Sequence, residues 1–261
     1  MKNLKPLLSA VVAISAILGI GAASAADLPM KAVPYAAPVP VFSWTGCYVG
    51  VHAGAGAMRN SVAGGSLMAV GSNYTGNGGL AGGQLGCNYQ DSNWVFGIEG
   101  EGYWSGMKTN YTDLNSAGFG ETYNAKNKND FSIAARAGIA FDRTLVYGKA
   151  GWVWGQFDFL STDNCCSIGS FSSSSASGTL DGLLLGVGIE HAFINNWTVK
   201  LEYNYLNFGS KAVAFTSCST GSGPTTCFAD GTGTVRAEKQ IFKIGANYLF
   251  NMGSAPLVAK Y

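Results

Sequence analysis

Gly182–Phe193, GLLLGVGIEHAF, and Trp197–Asn207, WTVKLEYNYLN, stand on either side of Asn195-Asn196. Both stretches read with a period of two. Leu183, Leu185, Val187 and Ile189 share one face, and Gly186, Gly188 and Glu190 share the other. In the second stretch Trp197, Val199, Leu201, Tyr203 and Tyr205 oppose Thr198, Lys200, Glu202 and Asn204. Successive side chains of a strand point to opposite faces, so each stretch is a strand with one apolar and one polar face. The Asn pair is turn chemistry. The result is a hairpin with arms of roughly ten residues, the length a tilted strand needs to cross a bilayer.

The same pattern extends in both directions. Trp44–Met58 sets Cys47, Val49, Val51, Ala53 and Ala55 against Tyr48, Gly50, His52 and Gly54. Gly79–Tyr89 and Trp94–Trp104 flank the turn Asp91-Ser92-Asn93. Phe131–Phe141 and Leu145–Phe157 flank Asp142-Arg143-Thr144, and Ile241–Phe250 alternates Phe242, Ile244, Ala246, Tyr248 and Phe250 with Lys243, Gly245 and Asn247. These make eight strands. Connections of about twenty to thirty residues alternate with turns of three or four, the arrangement of an outer-membrane barrel with long loops facing outward. A soluble sandwich has no reason to alternate in this way. The fold expected is all-β: an eight-stranded antiparallel transmembrane β-barrel over residues 44–250.

Composition agrees. Charged residues are 12% of the 261-residue chain, aromatics are 12%, and glycine occurs 37 times. A soluble domain carries about twice that charge. Low charge without a second long apolar run fits a barrel whose outer face meets lipid. Lys2 and Lys5, the apolar run Leu7 to Ala23 and Ala23-Ser24-Ala25 have the order of a cleaved secretory signal over residues 1–25. Residues 26–43 hold four prolines, at 29, 34, 38 and 40, and read as an extended periplasmic linker. Residues 251–261 read as a periplasmic tail. A net charge of +1 and the lack of a basic patch argue against a nucleic-acid partner.

All backbone polar groups must be paired within hydrocarbon, so such a sheet must close on itself. The apolar faces then meet lipid. Trp44, Trp94, Trp197, Tyr89, Phe141 and Phe193 stand at strand ends beside the short turns as an aromatic girdle, with Trp104 near the opposite interface. The other faces carry Glu99, Glu101, Glu190 and Glu202 against Arg136, Lys149, Lys200 and Lys243, four acids to four bases. An eight-stranded barrel is only wide enough inside for its own side chains. The balanced set reads as an ion-pair network that plugs the lumen, and a charged channel lining is the alternative. Little else carries chemistry. His52 faces inward and His191 outward, so they share no metal, and no hydroxyl nucleophile is identified beside His191. Ser172–Ser175 reads as a solvated loop. No catalytic, metal or cofactor-binding motif emerges. Three function classes remain: a structural barrel displaying surface loops, a narrow channel for ions or small solutes, and a surface enzyme or ligand binder.

Trp44-Thr45-Gly46-Cys47-Tyr48-Val49-Gly50, Gly83-Gln84-Leu85-Gly86-Cys87-Asn88-Tyr89, Gly97-Ile98-Glu99-Gly100-Glu101, Leu201-Glu202-Tyr203 and Lys243-Ile244-Gly245-Ala246-Asn247-Tyr248-Leu249-Phe250 resemble the outer-membrane immunogenic protein family. These are small porin-like surface antigens of Gram-negative bacteria, especially alphaproteobacteria. The resemblance implies an eight-stranded outer-membrane barrel, no enzymatic activity, and Phe250 as the terminal aromatic recognised by the assembly machinery. It implies outer-membrane lipid and lipopolysaccharide as surroundings and leaves host or surface ligands of the loops open. The chain departs from the family where aromatics are replaced by Cys47 and Cys87. A hairpin centred near residue 68 sets these two nearly opposite one another, which suggests a cross-strand disulfide. Cys218 and Cys227 form an easy local bridge, while Cys165 and Cys166 leave crossed pairing between loops open. A peptide mass map of the oxidised protein is expected to show Cys47 linked to Cys87; both as free thiols would contradict the pairing.

Overall fold

A computed structural model describes residues 42–63, 73–114, 120–163, 171–193, 196–220 and 224–250. The expected signal, nearly all of the linker, Cys165, Cys166 and the tail lie outside the described residues. Nine strand segments form: β1 (Gly46–Ala63), β2 (Asn73–Asp91), β3 (Trp94–Ser105), β4 (Lys108–Leu114), β5 (Gly120–Phe141), β6 (Thr144–Asp163), β7 (Phe171–Ala192), β8 (Trp197–Thr220) and β9 (Thr226–Phe250). All neighbours are antiparallel. Segments β3 and β4 follow one another along a single stave, each lying between β2 and β5. β1 pairs with β9 from Cys47↔Phe250 to Ala63↔Thr234, which closes the sheet. The described residues therefore form a closed barrel of eight staves, as the period-two pattern predicts.

The tight turns fall where they are expected. Ser92 and Asp142 each take φ 54°, and Asn196 takes φ 64°. Positive φ matches the hairpin turns that follow the right-handed twist of the strands.

The other end of the barrel differs from expectation. The long connections are mostly strand, and only residues 64–72, 115–119, 164–170 and 221–225 separate the elements there. Ser172–Ser175, expected as loop, belongs to β7 and pairs with both β6 and β8. The staves reach 25 residues in β9. At about 3.4 Å per residue and a tilt near 40°, that is roughly 60 Å of height against an apolar belt of about 25 Å. Much of the barrel stands outside the membrane on the long-hairpin side.

The two parts have opposite polarity. Within the belt, Val51, Leu85, Ile98, Val187, Leu201 and Phe242 face outward and are exposed, while charged groups point in. Above it, Lys126, Lys128, Asn129, Ser175 and Ser177 face outward. There Met58, Tyr74, Tyr123, Phe157, Phe159, Phe208 and Phe215 fill the inside as one apolar cluster. Tyr74 stacks on Tyr123 with ring centroids 4.2 Å apart, and Phe157 meets Phe208 edge-on at 5.2 Å. Water outside and hydrocarbon inside is the arrangement of a soluble barrel, and it stabilises the extension by ordinary apolar burial.

The ladder is irregular where the polarity changes. Besides one that lies higher, between Ala214 and Thr216, register shifts fall between Asn127 and Asp130, between Ser175 and Leu183 and between Asn207 and Ser210. Gly106-Met107 interrupts the β3–β4 stave at the same level. Backbone groups freed by a bulge can meet water above the membrane but not within it. Below these positions the ladders run unbroken to the turns.

The short-turn end corrects the girdle. Tyr89, Trp94, Phe141, Phe193 and Trp197 are about half or more exposed, but Trp44 is only 1% exposed. Trp44 shares the inward parity of Tyr48 and His52. It packs with Val95, Ala140, Leu145, Tyr147 and Ala192, and Phe42 closes on it edge-to-face at 5.1 Å. Its backbone N–H donates to the Gln90 side chain over 2.8 Å. Trp44 stoppers the barrel rather than anchoring it in lipid.

The apolar core of the extension gives a test. Phe157→Ala, at a residue 1% exposed, is expected to destabilise the refolded barrel by about 3 kcal/mol in denaturant unfolding. Ser175→Ala on the outward face is expected to leave it unchanged.

Candidate functional site: the charged lumen

The eight charged residues singled out by parity come together. Glu99 and Glu101 rise from β3, Arg136 from β5, Lys149 from β6, Glu190 from β7, Lys200 and Glu202 from β8, and Lys243 from β9. All are nearly fully buried. Lys149 Nζ lies 3.0 Å from Glu99, 3.1 Å from Glu101 and 2.7 Å from Glu202. Lys200 Nζ touches the same three carboxylates at 3.1, 3.3 and 3.5 Å. Lys243 Nζ bridges Glu101 and Glu202 at 2.7 and 2.8 Å. Each carboxylate of this trio is thus held by at least two ammonium groups.

Arg136 extends the lattice toward the short turns. Its guanidinium meets Glu190 at 2.8 Å and Glu99 at 3.5 Å. It also donates to the Tyr48 hydroxyl at 2.8 Å and lies over the Tyr147 ring, 4.0 Å from its centroid. The Tyr48 hydroxyl donates on to Glu99 at 2.7 Å, and the Tyr147 hydroxyl donates to Glu202 at 2.8 Å. Thr198 and Asn247 donate to Glu190, and Asn204 donates to Glu202. Buried charges cost free energy unless paired and hydrogen-bonded, and these are both.

Glycine makes the room. A Cβ on Gly186 would stand 2.2 Å from Asn204 Oδ1 and 3.0 Å from Lys149 Cγ. One on Gly97 would stand 2.3 Å from Asn88 Oδ1 and 3.1 Å from Arg136 Cγ. The long cationic stems lie across bare backbone, so these strands accept the cost of glycine.

A further ion pair escapes the sequence reading. Lys239 Nζ lies 2.6 Å from Asp130 Oδ2, both fully buried, inside the aromatic extension. The ammonium also faces the Phe157 and Phe208 rings, at 4.6 and 4.9 Å from their centroids. Both residues keep the inward parity of their strands. Continuing the alternation two residues beyond Ile241 would have reached Lys239, but the surrounding residues read as loop.

The lumen is therefore layered. The Trp44 cluster fills the short-turn end, the ion lattice fills the middle, and the aromatic cluster lies above. The oxygens of Glu99, Glu101 and Glu202 lie within 4.8 Å of one another, close enough to share a cation. Three lysine ammonium groups already stand among them and supply that positive charge.

The remaining candidates lie apart. His52 is inside, with Nδ1 2.5 Å from Gln84 Oε1, and Gln84 donates to Asn247. His191 is exposed on the outer face beside the short turns. It has a hydroxyl neighbour after all, with Thr144 Oγ1 at 2.9 Å from its Nδ1, brought there by the β6–β7 pairing. Among the described residues no carboxylate hydrogen-bonds the ring, so this is a dyad and not a triad. Cys47 is bonded to Cys87 across β1–β2 and Cys218 to Cys227 across β8–β9. Phe250 closes β9, opposite Cys47 and facing outward.

Removing one member of the lattice leaves buried charge unmatched. Arg136→Leu is expected to cost about 3 kcal/mol and to lower the melting temperature of the refolded barrel. An unchanged melting temperature would separate Arg136 from the network.

Comparison with known proteins agrees with this architecture. The sequence profile of the outer membrane protein beta-barrel domain matches residues 13–250. The 31 kDa outer-membrane immunogenic protein of Brucella melitensis is 31% identical over 221 residues, covering 78% of this chain and 88% of that protein. The 22 kDa outer membrane protein of Rhizobium leguminosarum bv. viciae is 31% identical over 178 residues, covering 67% and 70%. Among solved structures, the outer membrane protease OmpT of Escherichia coli superposes with a TM-score of 0.50 at 9% identity, over 82% of this chain and 99% of that one, a likeness of fold alone. A closed barrel with a lipid-facing apolar belt, a matching profile over most of its length and outer-membrane relatives at this identity lead to one conclusion: the chain is a member of the outer membrane protein beta-barrel family and resides in the outer membrane.

Proposed function

We propose that this protein is a closed, non-enzymatic barrel that reinforces the outer membrane and displays its extracellular extension as a surface antigen. The filled lumen carries this reading. A channel needs a continuous wet path, and here an apolar stopper, an ion lattice and an aromatic core follow one another along the axis. Lattice side chains 0–1% exposed supply no ionic lining for passing solutes. The antigenic part of the proposal leans on relatives described as immunogenic. The long polar staves are the part of this chain that antibodies would meet.

In this reading residues 1–25 direct export and Phe250 engages the assembly machinery. The likeness to OmpT concerns the fold and brings no protease chemistry with it. The Thr144–His191 pair stands at the turn end, away from the displayed surface, and supports no hydrolytic role.

Single-channel recording tests the proposal. Barrel shown to be folded by its heat-dependent gel shift is expected to give no current steps in a planar bilayer. Reproducible steps would overturn the closed reading in favour of a narrow channel for ions or small solutes.

A further inference from the structure

Lys108 on β4 and Lys126 on β5 are direct cross-strand partners, and both are exposed. Like charges facing each other across a ladder repel. Neither makes an ion pair among the described residues. On one side of Lys108, in register, stands Asn77, which is neutral. On the far side of Lys126 stands Asp158, but that carboxylate is already bound by Lys128 at 2.6 Å. This row of four staves thus holds three ammonium groups against one carboxylate. On β8 and β9 cations have their own partners: Lys211 meets Asp181 at 2.7 Å and Arg236 meets Glu238 at 2.8 Å, with Arg59 of β1 in register beside that same Glu238.

Height says what the surplus charge faces. Outward residues climb the β3–β4 stave as Ile98, Gly100, Gly102, Trp104 and Lys108. Trp104, 75% exposed, ends the apolar belt there, and tryptophan favours the boundary between hydrocarbon and headgroups. Four residues of tilted strand rise about 10 Å, and the polar layer of a bilayer adds about 5–8 Å on each side. Lysine stems can reach down along the wall, so both ammonium groups stand at headgroup level of the outer leaflet. Directly beneath, the outer wall is hollowed into a groove of about 510 Å³. Gly83 pairs with Gly102 on its floor, and Leu85 and Phe131 stand as its sides.

We propose that Lys108 and Lys126 bind the phosphate of a phosphorylated outer-leaflet lipid whose acyl chain lies along the groove below. Ammonium groups are point-charge phosphate binders, and an anion between the two lysines turns their repulsion into shared attraction. The proposal rests on the membrane location and not on whether the lumen conducts.

The probe is bisphosphorylated lipid A, set against its dephosphorylated form, each in phosphatidylcholine nanodiscs holding the refolded barrel. Bound lipid is counted by native mass spectrometry. The wild type is expected to retain the phosphorylated form at least tenfold better. Lys108→Gln with Lys126→Gln is expected to lose that preference, and the paired arginine variant to keep it. Lys211→Gln, on the opposite side and ion-paired, is expected to change nothing. Melting adds a signature that simple loss of structure cannot mimic: the glutamine pair melts no lower than wild type in phosphatidylcholine alone, yet lower in discs with bisphosphorylated lipid A. The single glutamine variants serve if the double variant does not refold. Equal retention by wild type and the glutamine pair overturns the proposal. So does an equal loss in Lys211→Gln, which would mean diffuse attraction. Displacement of the lipid by millimolar inorganic phosphate or by soluble heparin overturns it too, by assigning the lysines to a free anion or a polyanion.

Discussion

Closure of the sheet is the constraint on which everything else depends. A strand in hydrocarbon has no water to pair its backbone, so β1 must find β9, and every ladder between them must run unbroken through the belt. Closure at eight staves then sets the width of the lumen, which accommodates side chains and little more. The interior chemistry follows from that width. Long cations can lie along the wall only if glycine stands beside them on the neighbouring strand, and the carboxylates must stand close enough to pair with them. The irregularities all lie above the belt, at Gly106-Met107, near Asn127, Ser175 and Asn207, and higher at Ala214, where freed backbone can meet water.

The two halves of the barrel solve inverse problems with the same strands. Within the membrane the outside is oil, so the lumen can take the charge, provided it is balanced and bonded. Outside the membrane the environment is water, so the lumen becomes the core. Phe157, Phe208 and their neighbours do there what the core of any soluble barrel does. The Asp130–Lys239 pair sits among them as a buried charge pair, backed by two aromatic faces. Ion lattice and aromatic core therefore adjoin in one closed tube, and the Trp44 cluster shuts its other end.

Much of the lattice was legible because parity is local. Once Leu201 is placed outward, Lys200 and Glu202 must point inward, and the same step placed Glu99, Arg136 and Lys243. At Trp44 two local signals conflict. Its parity pointed inward with Tyr48, but its position at a strand end suggested the girdle, and the Phe42 contact keeps it inside. Asp130 and Lys239 were lost because the stretches leading to them, Lys126-Asn127-Lys128-Asn129 and Arg236-Ala237-Glu238, are mostly polar or charged. Such stretches read as loop even where they alternate.

By itself the sequence determined the closed β fold, the membrane belt, the turns and the balanced set of inward charges, because a period of two assigns faces residue by residue. Only the tertiary structure decided how far the staves run above the membrane, that their inside becomes apolar there, and which charge meets which across the lumen. The physical reason is that alternation separates two faces without saying which solvent each will meet. That depends on barrel closure and on the height of each residue relative to the bilayer, and both are properties of all eight staves at once.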